Sequence, residues 1–212
     1  ILSNERNLKL KLYPNLAFAA FMPILFLIRS FSHLKTFEEI LREISEGKYY
    51  LITYLTIGLL ATSIPMLSTS ESYRAAWIYK TLPIADPAVI YKGSLKAFIV
   101  KLMLPIYILI NTGFLFVYGL TIVSDIILMF FIMIFAVILI FHLLIKRLPF
   151  SQDFEYVKHN SILTTFIAGG FCGISAYAHY FLISRDISLI PYIILVLLGI
   201  IFLWKRSMKI YS

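Results

Sequence analysis

Apolar residues fall along this chain in long unbroken runs, without the alternation of a half-buried strand. Six runs approach the roughly 20 residues that a helix needs to cross the hydrocarbon core of a bilayer. They are Tyr13–Ile28, Tyr49–Leu67, Leu95–Tyr118, Ile122–Ile145, Ile162–Ile183 and Leu189–Trp204. The strands of a transmembrane β-barrel alternate apolar and polar positions, and these runs do not. The pattern predicts an all-α, polytopic transmembrane helix bundle of about six spans, with residues 1–212 forming a single transmembrane domain.

Between the first two runs, residues 30–48 break into a different period. Phe37, Ile40, Leu41 and Ile44 share one helical face, and Glu38, Glu39, Arg42, Glu43 and Glu46 occupy the other. Thr36 with Glu39 has capping-box spacing, and Gly47 suits a helix end. This predicts a short amphipathic helix lying on a membrane surface. The connections near Thr121 and Asp186 are tight, which makes their flanking spans antiparallel hairpins. Pro23, Pro105 and Pro191 fall within or at the edge of spans, where they interrupt the helical hydrogen-bond ladder and can kink it.

Composition agrees with this pattern. Only 14% of residues are charged, against about 25% in a soluble domain. The net charge of +8 needs no nucleic acid to explain it, because the basic residues are unevenly distributed. Of 19, 14 fall on the side that holds the N-terminal segment, the loop after the second run, the loop after the fourth and the C-terminal tail. Arg29, Lys35, Arg42, Lys48 and Arg185 lie on the other. The positive-inside rule puts both termini and the 68–94 loop in the cytoplasm, residues 30–48 outside, and the chain in the plasma or inner membrane. The single cysteine, Cys172, allows no intrachain disulfide and reads as a small packing residue. The chain begins at Ile1 and is read as lacking an N-terminal part.

Ionisable groups inside a membrane are costly and mark function by default. No Asp, Glu, Lys or Arg falls at the middle of a predicted span, and Asp125 stands at the outer start of the fourth. His142 and His179 belong at different depths, which argues against a shared metal site. Each reads as an interfacial or interhelical hydrogen-bonding group before a catalytic one. Asn111 is a helix contact or lines a cavity. Gly169 and Gly173 form a GxxxG that serves either packing within the chain or a dimer face. No HExxH, GxSxG or phosphate-binding loop is present, and no polar cluster at one depth can be read from the sequence. No catalytic residue, metal or cofactor is expected, and if the protein uses ATP, another chain binds it.

The longest polar-leaning stretch remains. "STSE" at Ser68–Glu71 has capping-box spacing, "SYRAAWIYK" can form two helical turns, and Pro83 and Pro87 end them. This predicts a short, stiff, basic and aromatic element. Taken alone, it reads equally as an interfacial helix with an aromatic anchor. The stretch "YRAAWIYKTLPIADPAVIYKGSLKAF" resembles the cytoplasmic segment of bacterial ABC exporter permeases of the type-2 family. "NERNLKLKLYPNLAF" resembles the start of the C-terminal membrane half in that group. Elsewhere the likeness is one of hydropathy and helix count.

The resemblance implies a membrane-spanning permease subunit, the C-terminal half of a longer permease, working with a second half or as a homodimer. A separate ABC ATPase subunit binds ATP, and the 68–94 loop, through Tyr73, Arg74, Trp77, Lys80 and Pro83, couples its closure to the spans. The alternatives are a secondary transporter or channel, which usually carries intramembrane charges or broken helices, and an intramembrane enzyme, which needs a polar cluster at one depth. The orientation can be tested by cysteine labelling in intact cells. A thiol replacing Ile40 should react from outside, and one replacing Lys80 only after permeabilisation; the reverse would reject this topology.

Overall fold

The computed structural model describes residues 6–31, 36–81, 88–145 and 148–209. All its regular elements are helical, and four stretches among the described residues are long and apolar enough to cross a membrane. This is the architecture of a membrane protein.

Helix α1 spans Arg6–Ser30. It buries Leu8, Leu12, Leu16, Ala19 and Pro23, which recur every three or four residues and so form one face. Phe18, Phe21, Leu25 and Phe26 on its other faces remain exposed. Helix α2, Phe37–Glu46, has the anticipated capping box: the Thr36 hydroxyl accepts from the Glu39 amide, and the Glu39 carboxylate accepts from the Thr36 amide. The Gly47 amide closes its far end by donating to the carbonyls of Glu43 and Ile44.

The second membrane-length stretch, Tyr49–Ser68, is α3 (Thr53–Ala61) between two 3-10 turns, Tyr49–Ile52 and Ile64–Ser68. It is the centre of the fold. Two-thirds of its most apolar window is buried, against about a fifth for the stretches in Arg6–Ser30 and Ser161–Ser184. Small residues make this possible. A Cβ added at Gly58 would lie 3.6 Å from the Cys172 sulfur and 3.9 Å from the Ala168 carbonyl oxygen, so helix α8 (Glu155–Ser184) approaches α3 closely here.

The stretch Ala88–Leu144 counts 57 residues. As one straight helix it would run about 85 Å, nearly three times the hydrocarbon thickness. It folds back instead at Gly119, whose φ of +67° and ψ of −156° favour a residue without Cβ. The Tyr107 hydroxyl donates to the Ile126 carbonyl at 2.6 Å, and the Tyr91 ring packs edge-on against Phe141. These pairings, 19 and 50 positions apart, make the two arms antiparallel. The first arm comprises α5 (Ala88–Phe98), a π-helical turn (Ile99–Met103) and α6 (Leu104–Tyr118). Pro105 accounts for the turn. It removes the amide that would bond the Lys101 carbonyl in an α-helix, and a wider turn accommodates the ring. The second arm is α7, Val123–Leu144.

Between Ile78–Thr81, a short helix α4, and α5 lie residues outside the described set. Helix α9, Ile190–Lys209, packs along α7 with Gly199 against the Phe135 ring, where an added Cβ would come within 2.5 Å of a ring carbon.

The glycines of α8 behave differently. An added Cβ at Gly169, Gly170 or Gly173 meets nothing within 4 Å, so the GxxxG pair does not form a close approach inside this chain; Gly58 and Gly199 do. Overpacking a tight helix contact typically costs about 1–3 kcal/mol. Gly199→Leu should therefore lower the unfolding temperature in detergent, while Gly170→Leu, into open space, should leave it within the error of the wild type.

Candidate functional site

Two polar assemblies stand out, one at each end of the bundle. The first lies at the α2 end. Asp125 opens α7 and is only 6% exposed; His179, on α8, is fully buried. The His179 Nε2 lies 3.1 Å from the Asp125 Oδ1, and the Tyr50 hydroxyl donates to the same oxygen at 3.0 Å. The Ser124 hydroxyl approaches the other carboxylate oxygen at 3.2 Å. On the far side of the imidazole, Nδ1 meets the Tyr54 hydroxyl at 3.0 Å. One assignment satisfies every group: Nε2–H donates to the carboxylate and Nδ1 accepts from Tyr54.

From the sequence, His179 reads as an interfacial or interhelical hydrogen-bonding group; in the structure its ring nitrogens meet Asp125 of α7 and Tyr54 of α3. The sequence reading saw no polar cluster at one depth, and here the structure corrects it: Tyr50, Tyr54, Asp125 and His179 converge at a single level. Asp125 and His179 are 54 positions apart in the chain, so no local spacing announces the pair.

Chemically, the cluster is a carboxylate–imidazole–phenol relay, but its lone pairs and protons are used internally. The neighbouring groove between α3 and α8 touches Tyr54 and Cys172 but not Asp125 or His179. The arrangement suits a joint between α3, α7 and α8 better than a reaction centre. His142 sits 17 residues further along α7, about 25 Å away along the axis, so the two histidines do lie at different depths. Asn111 is buried on α6; it donates to the Tyr107 carbonyl at 2.8 Å and accepts from Thr53 at 3.5 Å. Its firm bond is thus within its own helix. Among the described residues, no three His, Cys, Asp or Glu side chains gather as a metal site would require.

The second assembly is at the opposite end, around the 68–94 loop. Its root is tied by backbone bonds: the Phe150 amide donates to the Leu67 carbonyl at 3.0 Å, the Gln152 amide to Ser68 at 2.8 Å and the Ser70 amide to Gln152 at 3.1 Å. The Asn7 amide, in the first turn of α1, donates to the Glu71 carboxylate at 2.7 Å. Lys11 lies 4.0 Å above the Phe154 ring. One short segment therefore grips both the start of α1 and the α7–α8 loop.

The capping box expected at Ser68 and Glu71 is not formed. The Ser68 hydroxyl turns back to the Pro65 carbonyl, Glu71 is used by Asn7, and the helix begins only after Ser72, as a 3-10 turn from Tyr73 to Trp77. With three residues per turn, positions three apart eclipse. Arg74 and Trp77 thus share an outward face, and Ile78 and Thr81 beyond them are also exposed. Trp77 is 62% exposed. The Arg74 guanidinium lies 5.9 Å from the Tyr73 ring centre, and its hydrogen bond to Tyr73 raises its already high pKa, so it remains a cation at any working pH. The backbone of Lys80 belongs to α4, while its side chain and all of Pro83 lie outside the described residues.

No known protein family, curated protein or solved structure matches this chain.

The α2-end joint makes a direct prediction. Removing one partner of a buried hydrogen-bonded group typically costs about 1–3 kcal/mol. Asp125→Asn and His179→Gln should each lower stability in detergent, and the double variant should lose less than the sum, because both remove the same contact. His142→Gln should add to Asp125→Asn without coupling. Strict additivity of Asp125→Asn with His179→Gln would mean the pair carries no energy.

Proposed function

We propose that this chain is the membrane-spanning permease subunit of an ATP-binding-cassette exporter, coupling ATP hydrolysis by a separate ATPase subunit to movement of a substrate. Six spans with both ends and the 68–94 loop on the cytoplasmic side belong to this reading, supported by the distribution of basic residues and by the fold-back at Gly119. The observation that carries it is the loop's construction: an outward face of Arg74 and Trp77, with Ile78 and Thr81 exposed beyond it, on a short helix whose root is bonded to two other elements. A partner pushing on that face would move the end of the central span, the start of α1 and the α7–α8 loop together. A large aromatic ring beside a permanent cation is also the usual make-up of an interface anchor. Tyr73, half-buried and hydrogen-bonded to Arg74, stiffens the turn, and Lys80 and Pro83 complete the element in this reading.

The Asp125–His179 pair favours a second reading. A secondary transporter commonly keeps such an ionisable pair within its spans. Against it, two tyrosines already occupy the pair's facing atoms, and neither Asp125 nor His179 lines the adjoining groove.

Truncating a buried interface anchor typically costs about 2 kcal/mol or more, roughly thirtyfold in affinity. Trp77→Ala should therefore reduce the co-purified ATPase per folded permease, and substrate-stimulated ATP turnover with it, while insertion stays normal. Arg74→Glu should act in the same direction and become more severe at low salt, where repulsion from a like charge is least screened. If both variants retain the wild-type ratio and turnover, the loop is a membrane anchor and the coupling assignment fails.

A further inference from the structure

The bundle also carries a groove that neither polar assembly uses. Ala20, Ile24 and Leu27 of α1 form one wall, and Gly113 and Phe114 of α6 the other. Ile44 of α2 lies across one end. That roof is fastened: the Tyr118 hydroxyl, at the end of α6, donates to the Ile44 carbonyl and accepts from the Tyr49 amide. The cavity measures about 430 Å³, and every residue lining it is apolar. Both walls belong to stretches of membrane-crossing length and apolarity, so the groove opens towards hydrocarbon.

Three features identify the occupant. The lining offers no charge and no side-chain hydrogen-bonding group, so only hydrocarbon can be recognised. A spanning helix about 10 Å wide and 30 Å long would occupy roughly 2,400 Å³, more than five times the space, and Ile44 of α2 stands among the lining residues. Finally, Gly113 leaves the wall open: an added Cβ there would meet nothing within 4 Å. Glycine is unfavourable in a helix interior, and an unfilled void forfeits the dispersion contacts of its lining. A slender apolar guest restores them.

We propose that this groove binds one acyl chain of a membrane phospholipid, drawn from the leaflet on the α2 side and held by its hydrocarbon rather than its headgroup. The proposal needs only that the chain lies in a membrane, not that it is an exporter.

The test is native mass spectrometry of the full chain purified in mild detergent with added dioleoyl phosphatidylglycerol or phosphatidylethanolamine. The wild type should retain one phospholipid. Gly113→Leu should lower that occupancy at least tenfold, while Gly170→Leu, an identical change in open space on α8, should not. Exchanging the headgroup should alter retention less than twofold, and shortening the chains to eight carbons should abolish it. Where the leucine impairs folding, Gly113→Ala should give a smaller loss in the same direction. The proposal is overturned if no lipid is retained, if Gly113→Leu retains as much as the wild type, or if retention follows the headgroup. It is equally overturned if the wild type runs as a protein complex that Gly113→Leu dissociates, since the groove would then hold another polypeptide.

Discussion

Inside hydrocarbon, helices gain little by hiding apolar side chains from lipid, so close packing and polar contact must gather them. Here both act through the Tyr49–Ser68 segment. Its Gly58 lets α8 come within van der Waals reach of the backbone, and its Tyr50 and Tyr54 supply two of the hydrogen bonds that hold Asp125 and His179. Its 3-10 exit, shaped by Pro65, sends the chain towards the α7–α8 loop. Helices α1, α6, α7 and α8 pack against this segment and α9 packs on α7, and the outer faces of α1, α8 and α9 stay apolar and exposed.

Polar contact is concentrated where it is least costly, at the ends of the segment. At the α2 end it is made by side chains: Tyr50 on Asp125, Tyr54 on His179, and the Tyr118 hydroxyl on the Ile44 carbonyl and the Tyr49 amide. At the opposite end it is made mainly by backbone groups, because the chain there has left the helix and its amides and carbonyls need partners. The isolated parallel bridge between Thr69 and Gln152 follows from that need. Between the ends, the contacts are almost wholly apolar.

What could be read from the sequence follows the same division. The Thr36–Glu39 capping box was legible because its partners are three residues apart, so spacing alone specifies the bond. The hairpin near Thr121 was legible because two apolar runs meet with too little chain between them for anything but a reversal. Ser68–Glu71 has the same spacing as the first box and fails, because each partner finds a different bond: Ser68 with Pro65 behind it and Glu71 with Asn7, 64 positions away. The Asp125–His179 joint was half legible. His179 could be named only as an interfacial or interhelical group, because its partner is set by how α7 and α8 pack, and the two tyrosines that complete it look like ordinary interfacial aromatics. The π-turn before Pro105 was legible as an interruption and not as a particular geometry.

Local shape also changes what the loop presents. In an α-helix, Tyr73 and Trp77 would stack four apart on one face, with Arg74 to the side. The 3-10 turn instead aligns Arg74 with Trp77, both exposed, and leaves Tyr73 half-buried with its ring 5.9 Å from the guanidinium. Its root is fixed: Leu67, Ser68 and Ser70 are committed to the 150–152 backbone and Glu71 to Asn7, and the turn follows directly at Tyr73. A push on Trp77 would be borne by backbone hydrogen bonds, which yield less than a flexible side-chain contact. They lead directly into the end of the central span.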